Sequence, residues 1–199
     1  MDKYWLERTE LLIKNEGLER LQNAKVLVVG LGGVGSFAAE FLARAGIGTM
    51  IIADGDVVDI TNINRQLPAL HSTIGQHKVE LVGDRLMDIN PELKLTKINE
   101  FLEPERMEEL IKSEKFDYVL DCIDSLTPKL TLIKTCRRHK IKLVSSMGAG
   151  GKSDPSKVMV RDLQKTNNCL LAKQVRKRLK KEGITKGFRC VFSTELQDE

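Results

Sequence analysis

Three glycines in the spacing G-x-G-x-x-G (Gly30, Gly32 and Gly35) constrain this chain more than any other feature. They follow a short β-branched run, residues 26–29, that reads as a buried parallel strand. They precede residues 36–45, which are helical in composition and stop at Gly46. A backbone without side chains can approach a phosphate closely. The helix behind it offers free N–H groups and the positive end of its dipole. A second apolar stretch then leads to Asp54, about 20 residues past the last glycine, where a nucleotide-binding α/β unit keeps the acid for the ribose hydroxyls. A glycine turn that only packs a helix onto a sheet would leave Asp54 without a task. The order strand, glycine turn, helix, strand, acid predicts a nucleotide site.

The 199 residues suit one α/β unit with a substantial core. Strands alternate with helices, which predicts a Rossmann-like, doubly wound, mostly parallel sheet with helices on both faces. The expected division is a helical arm over residues 1–24 and a nucleotide-binding domain over residues 25–199. No run of about 18 apolar residues could span a membrane, and the N-terminus has no apolar signal region, so a cytoplasmic location is expected. Cys122, Cys136, Cys169 and Cys190 form no C-x-x-C pair, which argues against a four-cysteine zinc site and for buried free thiols.

Residues 4–23 read as an amphipathic arm whose Leu11, Leu12, Leu18 and Leu21 face a core or a second protomer. Arg8, alone near its start, reads as a solvated cation. Residues 54–66 are too polar for a strand, and Asp, Thr and Asn there favour caps and turns. Residues 76–90 read as a helix with Val79, Val82, Leu86 and Ile89 on one face. Lys78 sits in its first turn, where a lysine is unusual unless it points at an anion. Pro91 ends that helix. A strand over 93–98 and a helix over 104–114 follow. The next strand runs into Asp121 and Asp124, at the strand end where open α/β sheets hold ligands. Asp124 reads either as a magnesium ligand or as the N-cap of a helix over 126–139.

A further strand is expected over 142–146 and short β structure over 158–161. The net charge of +4 is unevenly spread. Lys134, Arg137, Arg138, His139, Lys140 and Lys142 form one basic cluster. The helix over 170–181 forms another, with Lys173, Arg176, Lys177, Arg178, Lys180 and Lys181 around an apolar stripe of Leu171, Val175 and Leu179. Both suggest an anionic partner. A last strand is expected over 190–194, and no helix follows to cover it, so further sequence beyond Glu199 is expected.

The combination of the glycine string, Asp54-x-Asp56, Thr61-Asn62-Ile63-Asn64-Arg65-Gln66, Gly75-Gln76-His77-Lys78 and Asp121-Cys122-Ile123-Asp124 resembles the ubiquitin-activating-enzyme-like adenylating superfamily. Within it, several segments resemble the tRNA threonylcarbamoyladenosine dehydratases. These are Asn64 to His71, Cys136 to Lys140, Gly148 to Pro155, Val175 to Lys181 and Cys190 to Glu195. That family usually carries Asp-Pro where this chain has Cys169-Leu170.

The resemblance implies an enzyme that uses ATP and magnesium to cyclise the threonylcarbamoyl group of an anticodon-loop adenosine through an acyl-adenylate. It implies a homodimer, and a sulfur-transfer protein is a further conceivable partner. Gly30, Gly32, Gly33, Gly35, Asp54, Asp56, Asn62, Asn64, Arg65, Gln66 and Lys78 would bind ATP, with Arg8 reaching the partner protomer's nucleotide. Arg65, Lys78 and Asp124 would be catalytic, and Asp124 would carry magnesium. Arg137, Arg138, Lys140, Lys173, Arg176, Lys177 and Lys180 would contact tRNA. The alternative is an adenylyltransferase that activates the C-terminus of a ubiquitin-like sulfur carrier. A nucleotide-binding module without chemistry and an NAD-dependent oxidoreductase are more distant readings.

Overall fold

A computed structural model describes residues 3–196. The N-terminal reading at Met1 and Asp2 lies outside them. Among the described residues seven strands and six α-helices alternate except where β6 follows β5 directly, which makes this an α/β protein of Rossmann-like type. The chain divides into two compact units, one up to Leu102 and one from Glu103. No helix among the described residues is long and apolar enough to cross a membrane.

The first unit begins with α1 (Glu7–Asn23), followed by β1 (Lys25–Val29), α2 (Gly35–Arg44), β2 (Thr49–Ala53), α3 (Lys78–Ile89) and β3 (Lys94–Ile98). The three strands are parallel in the order β3-β2-β1, with Val29 level with Ala53 and Ala53 level with Ile98. Val26, Leu27 and Val28 on β1 and Met50, Ile51 and Ile52 on β2 are all buried, as continuous apolar parallel strands must be. Gly48 admits no side chain, because a Cβ there would lie 1.6 Å from the Gln22 carbonyl oxygen. Its N–H donates to Leu21 O, so the end of α1 is seated on the entry to β2.

The arm over residues 4–23 is interrupted. Lys14 leaves helical geometry at φ 64°, ψ 170°. Of the four leucines named above only Leu18 is buried, Leu21 is half-buried, and Leu11 and Leu12 are exposed; Leu6, just before α1, is buried as well. On α3, Val79, Val82 and Leu86 are buried as expected. The buried Glu40 of α2 accepts from Arg85 of α3 at 2.6 Å and from Arg44 at 2.8 Å, and the Arg85 hydrogen bond holds its carboxyl below the ordinary range.

The second unit contains α4 (Pro104–Ser113), β4 (Tyr118–Asp121), α5 (Leu126–Arg138), β5 (Leu143–Ser146), β6 (Val158–Asp162), α6 (Leu170–Lys180) and β7 (Arg189–Ser193). Its strand order is β4-β5-β7-β6, and only β6 runs antiparallel, against β7. The buried stripe of α6 is Ala172, Val175 and Leu179. The expected Leu171 is only half-buried, since Ala172 takes the inward slot at the 3-and-4 spacing of a helix.

Cys169 is the N-cap of α6, and its Sγ accepts from Ala172 N at 3.5 Å. Sulfur is a weak acceptor, so this cap is poorer than an aspartate. Leu170, at the first helical position, is 70% exposed, and proline is tolerated at such a position. An Asp-Pro pair would thus be a better helix start than Cys169-Leu170. Cys169→Asp should contribute about 1 kcal/mol through the cap, and Leu170→Pro ~0.4–1 kcal/mol through the unfolded chain. Thermal unfolding of the double variant should show a midpoint about 3–6 °C above wild type. An unchanged or lower midpoint contradicts this account of the helix start.

Candidate nucleotide site

The site builds up from the exits of β1 and β2. Gly30 N donates to Ala53 O at 2.9 Å, and Gly30 takes φ +88°, a conformation side chains disfavour. The chain then turns into α2. The buried Ser36 secures the turn, its Oγ donating to Gly32 O at 2.6 Å. Asp54, directly after β2, accepts from Leu31 N at 2.6 Å through Oδ2 and from Asp56 N at 2.8 Å through Oδ1. Burial pushes its carboxyl up, and the two N–H groups oppose that shift.

Beyond Asp56, a short turn over Ile60–Asn62 is capped at both ends of a reciprocal box. Asp59 accepts from Thr61 N, and the buried Asn62 accepts from Asp59 N at 3.1 Å. Asn62 Oδ1 is therefore committed to the turn. Arg65 is exposed, its Nη1 donating to Thr61 O at 3.0 Å and to Asn64 Oδ1 at 3.1 Å. No carboxylate among the described residues pairs with it. This segment lies against the glycine turn, since a Cβ on Gly33 would stand 3.3 Å from Arg65 O and one on Gly32 would stand 3.6 Å from Gln66 Nε2. Gln66 is buried, and its Oε1 has no hydrogen-bond partner.

Lys78 opens α3 and is buried. Its Nζ meets Asp56 Oδ2 at 3.0 Å, and its N–H donates to Asp56 O at 3.0 Å. A buried cation at a helix N-terminus runs against the dipole and is held here by Asp56. The first unit thus brings together the glycine turn, Asp54, Asp56, Asn62, Asn64, Arg65, Gln66 and Lys78. A glycine-rich turn, an orphaned buried acceptor and a cation without a carboxylate among the described residues fit a polar, anionic nucleotide. Arg8 is exposed on α1.

Asp124 belongs to the second unit and is exposed. It is not the N-cap of α5, because the helix starts at Leu126 and Ser125 holds the cap position. The described residues contain no group of three or more His, Cys, Asp or Glu side chains that could hold a metal.

The basic candidates divide by their partners. Arg137 donates to Gly187 O at 2.8 Å, Arg138 to Glu108 at 2.9 Å and Arg176 to Thr166 O at 2.8 Å. The Glu108 carboxyl is drawn down to about 2, mainly by its hydrogen bond with His139. Lys140 adopts φ +56° just past α5 and terminates that helix. Lys173, Lys177 and Lys180 are exposed on α6, which carries no acidic residue, and none pairs with a carboxylate among the described residues. Lys129 belongs to no motif. Its one signal is position, since with Leu132, Ile133 and Cys136 it completes the buried stripe of α5.

A family model for the ThiF family matches residues 6–193. The chain belongs to the ThiF family. It is 49% identical over 188 residues to the tRNA threonylcarbamoyladenosine dehydratase of Bacillus subtilis, covering 94% of this chain and 74% of that protein. The crystal structure of the Escherichia coli tRNA N6-threonylcarbamoyladenosine dehydratase in complex with ATP superposes with a TM-score of 0.93 at 43% identity, over 98% of this chain and 84% of that one. The molybdopterin-synthase adenylyltransferase of Salmonella typhimurium is 41% identical over 130 residues, 65% of this chain and 51% of that protein.

Burial pushes the thiols of Cys122, Cys136 and Cys190 up to about 12. A thiol that remains protonated is a poor nucleophile. Iodoacetamide at pH 8 should therefore leave these three cysteines unmodified in the native protein and label them all after unfolding, as read by peptide mass spectrometry. Rapid native labelling of Cys190 would contradict the inert assignment.

Proposed function

We propose that this chain catalyses the ATP-dependent dehydration of threonylcarbamoyladenosine in the anticodon loop of tRNA. The observation that carries the reading is the near-complete match, over 98% of the chain, to a dehydratase crystallised with ATP. The open glycine turn, the acid at Asp54 and the unpaired Arg65 support it. A free carboxylate is a poor electrophile. Attack by one of its oxygens on the α-phosphorus of ATP forms an acyl-adenylate and expels pyrophosphate. An internal nucleophile of the modification then attacks the acyl carbon, closes the ring and expels AMP with that oxygen. The net change is loss of one water, its oxygen ending in AMP.

In this reading Gly30, Gly32, Gly33 and Gly35 cradle the nucleotide and Asp54 holds the ribose. Arg65 and Lys78 neutralise phosphate charge, the largest service a protein can render such a step. Asn62, Asn64 and Asp56 frame those two cations, and Gln66 offers its orphaned oxygen to the nucleotide. Asp124 would hold magnesium, which when bound would supply positive charge against the pyrophosphate. Lys173, Lys177 and Lys180 are assigned to tRNA phosphates, contacts that position RNA without reading its sequence. Arg137, Arg138, Lys140 and Arg176 add charge around them. A cytoplasmic homodimer, with Arg8 acting on the partner protomer's nucleotide, and a sulfur-transfer partner complete the proposal.

The test is incubation of the full chain with ATP, Mg2+ and tRNA bearing threonylcarbamoyladenosine, followed by nucleoside mass spectrometry. The nucleoside should become lighter by one water, and Arg65→Ala should slow conversion by about 100-fold. An unchanged nucleoside overturns the reading. Pyrophosphate exchange that depends on a Gly-Gly-ended carrier protein, and is indifferent to tRNA, would establish the carrier-activating alternative.

A further inference from the structure

Lys129 and Asp121 form an ion pair at 2.8 Å in which both side chains are wholly buried. Lysine is almost never fully buried unless it is paired. All three ammonium protons have acceptors: Asp121 Oδ2 at 2.8 Å, the Ser146 carbonyl at 2.8 Å and Ser145 Oγ at 3.4 Å. Ser145 Oγ in turn donates to Asp121 Oδ2, and Asp121 Oδ1 accepts from Ile123 N at 3.1 Å. Asp121 and Ser146 are the last residues of β4 and β5. One ammonium in the first turn of α5 therefore ties together the carboxyl ends of two neighbouring parallel strands.

Stability alone does not account for this arrangement. Removing two charges from water costs several kcal/mol per ion, and well-packed apolar residues often serve a fold equally well. The location is informative, since ligands of open α/β sheets sit beyond the carboxyl ends of the strands. Two loops leave from the tied ends. One is residues 122–125, which carry Asp124. The other is residues 147–151, whose Gly148 lies against Cys169 and Leu171 at the start of α6 and whose Gly150 faces open space.

We propose that Lys129 is a positioning residue for the reaction, its buried ammonium fixing the backbone from which the Asp124 loop and the glycine loop after β5 depart. The inference rests on the proposed dehydration, but its structural half can be read without it. Asp121→Leu with Lys129→Met removes both charged members of the network while avoiding an unpaired buried charge. The double variant should keep the wild-type unfolding midpoint. Its kcat should fall about 10- to 100-fold, as for other groups that act by orienting a ligand-binding residue. Its KM for ATP should stay within about threefold, because the network touches none of the glycine-turn groups.

Amide hydrogen exchange over residues 122–125 and 147–151 should accelerate in the same variant. Wild-type kcat with unchanged exchange would overturn the proposal. If the wild-type protein itself dehydrates no tRNA, the proposed function fails and exchange alone decides the positioning claim, faster exchange supporting it and unchanged exchange refuting it. Should the double variant not fold, Lys129→Arg keeps the buried charge but cannot place three donors on the same acceptors. Loss of kcat at unchanged KM in that variant supports positioning, and wild-type kcat overturns it.

Discussion

The carboxylate of Asp54 accepts backbone N–H groups from both sides of the first strand pair, from Leu31 in the glycine turn and from Asp56 beyond β2. It can do so because Val29 and Ala53 end level in the parallel register. Much of the candidate nucleotide site hangs from this one group. Asp56, oriented by it, takes both the N–H and the ammonium of Lys78 and so fixes the start of α3. The polar segment that returns from Asp56 brings Arg65 and Gln66 against Gly33 and Gly32. Burial raises the Asp54 carboxyl, a cost that the two N–H groups offset.

Charge is arranged differently elsewhere. Several cations among the described residues have carboxylate partners. Arg85 and Arg44 share Glu40, Lys97 bridges Glu80 and Asp84, and Arg138, His139 and Lys112 converge on Glu108. Among the described residues the exposed lysines of α6 have no carboxylate partner, on a helix with no acid of its own. Beyond the favourable placing of Lys177 and Lys180 at the negative end of the helix dipole, such a surface gains chiefly attraction for a polyanion. This contrast separates Lys173, Lys177 and Lys180 from Arg137 and Arg176, whose guanidinium groups hold backbone carbonyls in place.

The strand–turn–helix–strand unit was legible in the sequence because its signals are local: glycine spacing, β-branched runs and an acid at a set distance. The extents of α3, α4 and α5 were legible for the same reason. The partners of cations were not, because they come from residues far along the chain. Nothing around Arg137 announces the Gly187 carbonyl, and nothing around Arg138 announces Glu108. Asp124 could pass for a helix cap, although a helix that starts at Leu126 has Ser125 at the cap position. Lys129 was hidden because a lysine in an apolar stripe reads as a solvated exception. Only the pairing of β4 with β5 brings Asp121, Ser145 and Ser146 around it.

The central claim is that an ATP site of this geometry serves to turn a carboxylate into an acyl-adenylate. The fate of one oxygen tests it most directly. Transfer RNA whose threonylcarbamoyl carboxylate carries heavy oxygen is incubated with the full chain, ATP and Mg2+, and the AMP is analysed by mass spectrometry. The account predicts one heavy oxygen in AMP for each ring closed. Unlabelled AMP alongside dehydrated nucleoside, or label in inorganic phosphate, would contradict it.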